Sequence, residues 1–185
     1  MGSKIDQYLR IADSDYLEFQ YFLKNIFPIT VKLEGGDKIH KVSGDSGGWT
    51  LFGIAYNKNK DLFDGFKDFE DTNYKEAAAI AYCRYYLPVG SKIADTTIKL
   101  DLFDMAYNLG SVQAIKLVQR HFGLLQDGVL GPITIGKYKE LTPETILKIR
   151  TSFYYRLIDG NSILQKFIKG WLNRSNYIFK IIRCQ

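Results

Sequence analysis

Leu33-Glu34-Gly35-Gly36, followed a little further on by Gly44-Asp45-Ser46-Gly47-Gly48-Trp49-Thr50-Leu51-Phe52-Gly53-Ile54, is the stretch on which the fold turns. Ile29, Val31 and Leu33 give a short apolar helical segment, and Gly35 and Gly36 supply the backbone freedom that ends it. Glu34 therefore reads as a helix-terminal residue. Beyond it, residues 37–50 are polar and rich in glycine. Gly44, Gly47 and Gly48 mark turns, and the apolar run Leu51 to Ala55 reads as a small strand or hairpin arm, the one sheet the sequence predicts.

Upstream, Asp15-x-x-Glu18 predicts a helix start, and Tyr16, Phe19, Leu23 and Ile26 recur on one face until Pro28 interrupts. Downstream the signals are helical throughout. Asn73-x-x-Glu76 opens a helix that stops before Pro88 and Gly90. Ile98 to Leu109 forms an apolar helix closed by Gly110, and the next carries Ala114, Ile115, Val118 and Phe122 and ends at Gly123. Gly131-Pro132 and Thr142-Pro143 each start another, with proline at the first helical position. The last begins near Ile163 and carries a stripe of Leu164, Phe167, Ile168, Trp171 and Leu172. The expected class is mainly α, a helical domain with a small β-hairpin lobe directly after the helix that bears Glu34.

Composition narrows the function. The 185 residues suffice for a core without disulfide support. Cys83 and Cys184 lie far apart in the chain, and with only His40 and His121 besides there is no His and Cys cluster at metal-ligand spacing, so neither a catalytic metal nor a cofactor is expected. The net charge of +5 suits an anionic polymer, but the basic residues are scattered, which argues against a nucleic-acid partner. No uninterrupted apolar stretch of about 18 residues argues for a membrane span, and no Sec signal core is visible.

A glycoside hydrolase needs a protonated carboxyl beside the glycosidic oxygen and a second carboxylate or an ordered water across the sugar. Glu34, at the end of an apolar helix, is placed for partial desolvation, which favours the protonated form. Asp45, in a glycine-rich turn, is more solvated and stays ionised, and Thr50 is placed to hold a water. Trp49, between them, offers a face for stacking on a sugar, and Tyr107 and Asn108 at a helix end are further substrate contacts. The plainer readings stand beside these. Glu34 caps a helix, Asp45 forms a turn, Thr50 is a strand residue, and Asn108 caps its helix. Spacing alone favours them for Glu34, Asp45 and Thr50, whereas for Asn108, in an otherwise apolar segment, the site reading is the favoured one. Asp104 is either an alternative second carboxylate or, the favoured reading, a buried partner for an arginine such as Arg84 or Arg150. Asp127-Gly128 and Gly131-Pro132 are good turn chemistry.

Glu34-Gly35-Gly36 followed by Asp45, Gly47, Gly48, Thr50, Gly53 and Ile54 closely resembles the signature of glycoside hydrolase family 108, E-G-G then D-x-G-G-x-T-x-x-G-I. Ala79 to Tyr86 is similar to the family's next helix, and Leu102-Phe103-Asp104-Met105-Ala106-Tyr107-Asn108-Leu109-Gly110 resembles its F-D-x-A-x-N-x-G segment. Ala114 to Gln119 and Asp127 to Thr134 are similar to a predicted peptidoglycan-binding domain in these proteins, and Phe167 to Arg174 resembles their closing helices. Asp37, where an aromatic is expected, and Tyr86, where a tryptophan is common, depart from the pattern.

The resemblance implies a lysozyme-like fold and a phage endolysin-like N-acetylmuramidase, a type also described as a secretion activator protein. Such an enzyme acts on peptidoglycan glycan strands between N-acetylmuramic acid and N-acetylglucosamine. It makes Glu34 the general acid and, by analogy with phage lysozymes, Asp45 and Thr50 its partners. A lytic transglycosylase and a non-catalytic wall-binding or secretion-accessory protein are the alternatives. Residues 1–93 are expected to form the catalytic region, and residues 94–185 a helical half that resembles the binding domain and packs with the first as one unit. Synthesis in the cytoplasm, then release to the wall by a holin or a secretion system, completes the expectation.

Overall fold

The computed structural model describes residues 3–41 and 48–184, and the chain divides into two units, Met1–Arg84 and Tyr85–Gln185. In the first, α1 (Lys4–Ser14) starts at a reciprocal cap. Ser3 Oγ accepts the Asp6 N–H at 3.1 Å, and Asp6 returns the bond to the Ser3 N–H at 2.8 Å. This helix carries Ile5 and Ala12 inward and packs along α5. Then come α2 (Tyr16–Asn25) and α3 (Phe27–Leu33), with Pro28 in the first turn of α3, where its missing N–H costs nothing. Asp15 precedes α2 as expected but does not cap it with its side chain. Its carboxylate instead accepts the Tyr82 hydroxyl at 2.6 Å from a residue 67 positions away.

Three short antiparallel strands follow, β1 (His40–Lys41), β2 (Trp49–Leu51) and β3 (Ile54–Ala55), in the order β1-β2-β3. Leu51 pairs with Ile54, so Phe52-Gly53 is a two-residue turn, and both have positive φ, 53° and 86°. Phenylalanine is unusual in that conformation. Its ring is buried against Tyr74, centroids 5.7 Å apart, which offsets the backbone cost. Further on lie α4 (Phe66–Glu70) and α5 (Tyr74–Ala81). The latter opens with the predicted Asn73 and Glu76 capping box and runs into a π-helical turn, Tyr82–Tyr86. Phe19, Phe22, Phe27 and Tyr82 form the aromatic centre, and each such fully buried ring contributes on the order of 1.5–3 kcal/mol.

In the second unit α6 (Thr96–Leu109) is the central helix, closed by Gly110 and packed by α7 (Ser111–His121), α9 (Pro143–Gly160) and α10 (Ile168–Arg183). A five-residue helix, α8 (Pro132–Gly136), lies between α7 and α9 in the chain. The core runs through Ile98, Leu102, Met105, Ile115, Val118 and Ile146. The expected start near Ile163 is a 3-10 segment, Ser162–Phe167, and α10 proper begins at Ile168. Among the described residues no helix is long and apolar enough to cross a membrane.

Candidate active site

Glu34 is placed by the way α3 ends. Its N–H bonds the carbonyls of Thr30 and Val31 at 3.1 and 3.0 Å, and the Gly36 N–H reaches back to Val31 O at 3.0 Å. That last bond, with Gly35 at φ +92° just past the cap, is the Schellman way of stopping a helix, and only glycine holds it without strain. Phe27, Thr30 and Val31 are the buried residues of α3, and Glu34 falls at the next position on the same helical stripe. The result is a half-buried glutamate on the inward stripe of a helix end.

The chain then turns back. The His40 imidazole lies so close to Gly35 that a β-carbon there would stand 3.3 Å from its Cε1. Nδ1 of His40 is 3.0 Å from the Lys38 carbonyl. A carbonyl can only accept, so Nδ1 carries a proton in this contact. His40 pairs with Thr50 across β1 and β2, and directly opposed residues share a face. Thr50, 8% exposed, therefore lies on the face whose imidazole stands near Gly35, just after Glu34.

Trp49 is on the opposite face by strand alternation. It is 41% exposed and tilts against Phe66 at 5.8 Å, so it presents an aromatic surface to solvent, though not on the Thr50 side. Gly48 anchors the start of β2, since with φ +74° a β-carbon there would meet Asn57 Nδ2 at 2.6 Å. Asp45 lies outside the described residues.

The remaining candidates are in the second unit. Tyr107 packs edge-on to Tyr85 at 5.0 Å and against Phe103 at 5.2 Å, which gives it a structural place. Asn108 is exposed and spends an amide hydrogen on the Asp104 carbonyl one turn back, at 2.7 Å. Asp104 is wholly buried and bonds Arg150 and Arg174, each at 2.7 Å, so it is not a second carboxylate for chemistry. Burial alone would raise its carboxyl, but the two guanidiniums together outweigh that and hold it below the ordinary range. Of the two partners expected for it, Arg150 is correct. Arg84 instead bonds Asn59 and Tyr8 and pairs with Asp61 in the first unit.

The Asp127 turn is organised by Gln119, which is 2% exposed. Its amide donates to Asp127 Oδ1 at 2.7 Å and Val129 O at 3.0 Å and accepts the Gly128 N–H at 2.9 Å. Cys83 is half-buried, with burial pushing its thiol up to about 12, and Cys184 is exposed. Among the described residues no group of three or more His, Cys, Asp and Glu side chains is arranged to hold a metal. His40 is the residue that sequence reasoning passed over. A lone histidine carries no motif, and only the pairing of β1 with β2 shows what it touches.

Residues 27–110, which hold Glu34, Thr50 and both flanks of the hairpin, match the family model Glycosyl hydrolase 108. Among solved structures the chain is similar to that of Brucella abortus SagA. The identity is 20%, the match covers 90% of this chain and 94% of that one, and the TM-score is 0.72. At that identity the likeness shows the fold, and it agrees with the expected lysozyme-like, mainly helical architecture. No curated protein matches the sequence significantly.

Proposed function

We propose that the chain is a peptidoglycan hydrolase of the lysozyme type, an N-acetylmuramidase that cleaves between N-acetylmuramic acid and N-acetylglucosamine with Glu34 as general acid. One observation carries the reading. Within the segment that matches the Glycosyl hydrolase 108 model, Glu34 is a half-buried residue whose main chain is held at a helix stop by backbone bonds. A fixed backbone limits where the side chain can reach, which favours delivery of a proton to one leaving oxygen.

In this mechanism Glu34 gives its proton to the glycosidic oxygen as the bond to the muramic carbon breaks. A water adds its oxygen to that carbon and yields a proton back to a carboxylate. Thr50 orients the water, and Asp45 faces the cation developing on the sugar ring. His40, opposite Thr50 in the sheet, packs close to Gly35 and so borders the Glu34 turn. Trp49 stacks on a sugar from the outer side of the hairpin, and Tyr107 and Asn108 serve as further sugar contacts. Residues 1–93 hold the chemistry and residues 94–185 help to hold the wall. The protein acts outside the membrane after release by a holin or a secretion system.

The test is turbidity clearing and product mass on purified peptidoglycan. The unaltered protein is expected to release reducing ends with one water added, and Glu34→Gln to lose at least about a hundredfold in rate, as removal of a general acid does. Equal clearing by Glu34→Gln defeats the assignment. Anhydro products one water lighter identify a transglycosylase, and binding without release identifies a wall-binding protein.

A further inference from the structure

The second unit carries a concavity of about 210 Å³ between α7 and α9, whose lining includes neither Glu34 nor Gln119 and Asp127. Its polar lining is Arg120, His121, Lys148, Ser152 and Arg156, over a floor of Leu117 and Ile149. Lys148, Ser152 and Arg156 are spaced by four along α9, so they rise one above another on a single face. Arg120 and His121 come from the last turn of α7.

What sets the group apart is its lack of counter-charge. Arg84 pairs with Asp61, Arg150 and Arg174 with Asp104, and Arg183 with Glu144. Among the described residues, no carboxylate lies within 4.0 Å of the charged ends of Arg120, Lys148 or Arg156, and no acidic side chain lines the concavity. Burial and then the Arg120 guanidinium hold Arg156 below the ordinary arginine value, the mark of two like charges close together. The dipole of α7 accounts for cations at Arg120 and His121, which stand at its C-terminus. It does not account for Lys148 and Arg156, which belong to another helix.

Unpaired like charges converging on one hollow are unfavourable until an anion enters. We propose that this hollow is a binding site for a phosphate group. Arg120 and Arg156 offer planar forks to its oxygens, Lys148 a point charge, and the Ser152 hydroxyl a neutral donor. The site is independent of the glycosidase reading, because none of its residues takes part in that chemistry. A phosphodiester of an anionic wall polymer, an anionic lipid headgroup and free phosphate all present this group, and each would hold the protein near, or sense, a different surface.

The test uses the full chain at physiological salt with three probes: inorganic phosphate, poly(glycerol phosphate), and vesicles of phosphatidylglycerol against phosphatidylcholine. Binding to at least one phosphate probe is expected, with amide shifts at His121 and Ser152 in nuclear magnetic resonance spectra of the unaltered protein. Lys148→Gln with Arg156→Gln should weaken that binding at least tenfold. A control pair of equal charge change, Lys24→Gln with Lys139→Gln, should change it less than about twofold. Which probe binds identifies the source of the phosphate. The proposal falls if no probe binds, if the shifts map elsewhere, or if the two double variants weaken binding equally. Because the spectral shifts are read on the unaltered protein, the outcome does not depend on a variant folding.

Discussion

Replacing Asp104 by asparagine removes one negative charge and almost no volume from the centre of the second unit. The carboxylate is wholly buried, bonds Arg150 Nη2 and Arg174 Nη2 at 2.7 Å, and receives Arg174 Nε at 3.2 Å. Arg150 is also wholly buried, its Nε and Nη1 have no hydrogen-bond partner, and its other carboxylate, Asp101, is 3.7 Å away. The variant therefore leaves a guanidinium in the core with one distant counter-charge. Breaking a buried pair from one side costs about 3–5 kcal/mol, which for a chain of this length lowers Tm by roughly 10–15 °C.

Urea unfolding followed by Trp171 fluorescence in a Trp49→Phe background reads the second unit, since Trp171 stacks on Tyr154 at 5.2 Å. Asp61→Asn is the control. That carboxylate is 47% exposed, and its pairs with Lys4 and Arg84 are worth at most about 1 kcal/mol. The combined change Asp101→Asn, Asp104→Leu, Arg150→Met and Arg174→Met should cost less than Asp104→Asn, because no charge is stranded. A loss below about 1 kcal/mol for Asp104→Asn, or one no larger than for Asp61→Asn, refutes this account of the cluster.

Two further outcomes follow from the same geometry. Burial, only partly opposed by Arg150 and reinforced by Asp104, pushes the Asp101 carboxyl up to about 7, against an ordinary 3.8. The folded chain then holds a proton that the unfolded chain gives up, so stability is full below about pH 4, falls as pH rises to about 7, and is level above. The gap of about three pH units corresponds at most to on the order of 4 kcal/mol. Melting temperature against pH should show this slope, and Asp101→Asn should abolish it; a variant that keeps the slope contradicts the reading. Gly35→Ala combines the strain of a left-handed backbone, about 1–2 kcal/mol, with a methyl 3.3 Å from the His40 ring. It should lower stability by that amount and reduce wall hydrolysis severalfold, and unaltered kinetics would show that the turn does not position Glu34.

Much of the fold was legible because its signals are local. Asn73 with Glu76, Thr142 with Pro143, and Gly110 each act within a few residues, and each appears where the pattern placed it. Asp15 looked like such a cap and is not one, because a buried tyrosine hydroxyl offers its carboxylate a stronger bond. The α1 helix went unread although Ser3 and Asp6 form a capping box and Ile5, Tyr8, Leu9 and Ala12 recur at helical spacing, because charged residues break its apolar positions into short stretches. Strand β1 has two polar residues and exists only through its pairing with β2. In the site, Glu34 and Thr50 were legible as residues, but the place of His40, opposite Thr50 in the sheet and close to Gly35, is a tertiary fact. Arg174 likewise lies 70 positions from Asp104, beyond the reach of any spacing argument.

The helix stop after Leu33 makes the placement of Glu34 a matter of counting. The carboxyl faces inward because the distance from Val31 to the stop is a fixed number of residues, so what constrains this segment is register as much as composition. Exchanges on the outer side of α3, at Lys32 for example, leave that count intact and should be tolerated freely. Inserting one residue between Val31 and Glu34 changes no side chain, yet would swing the carboxyl by about 100° and carry it about 1.5 Å along the axis. Variation in this stretch should therefore come as substitutions, with changes of length confined to the turns beyond Gly36.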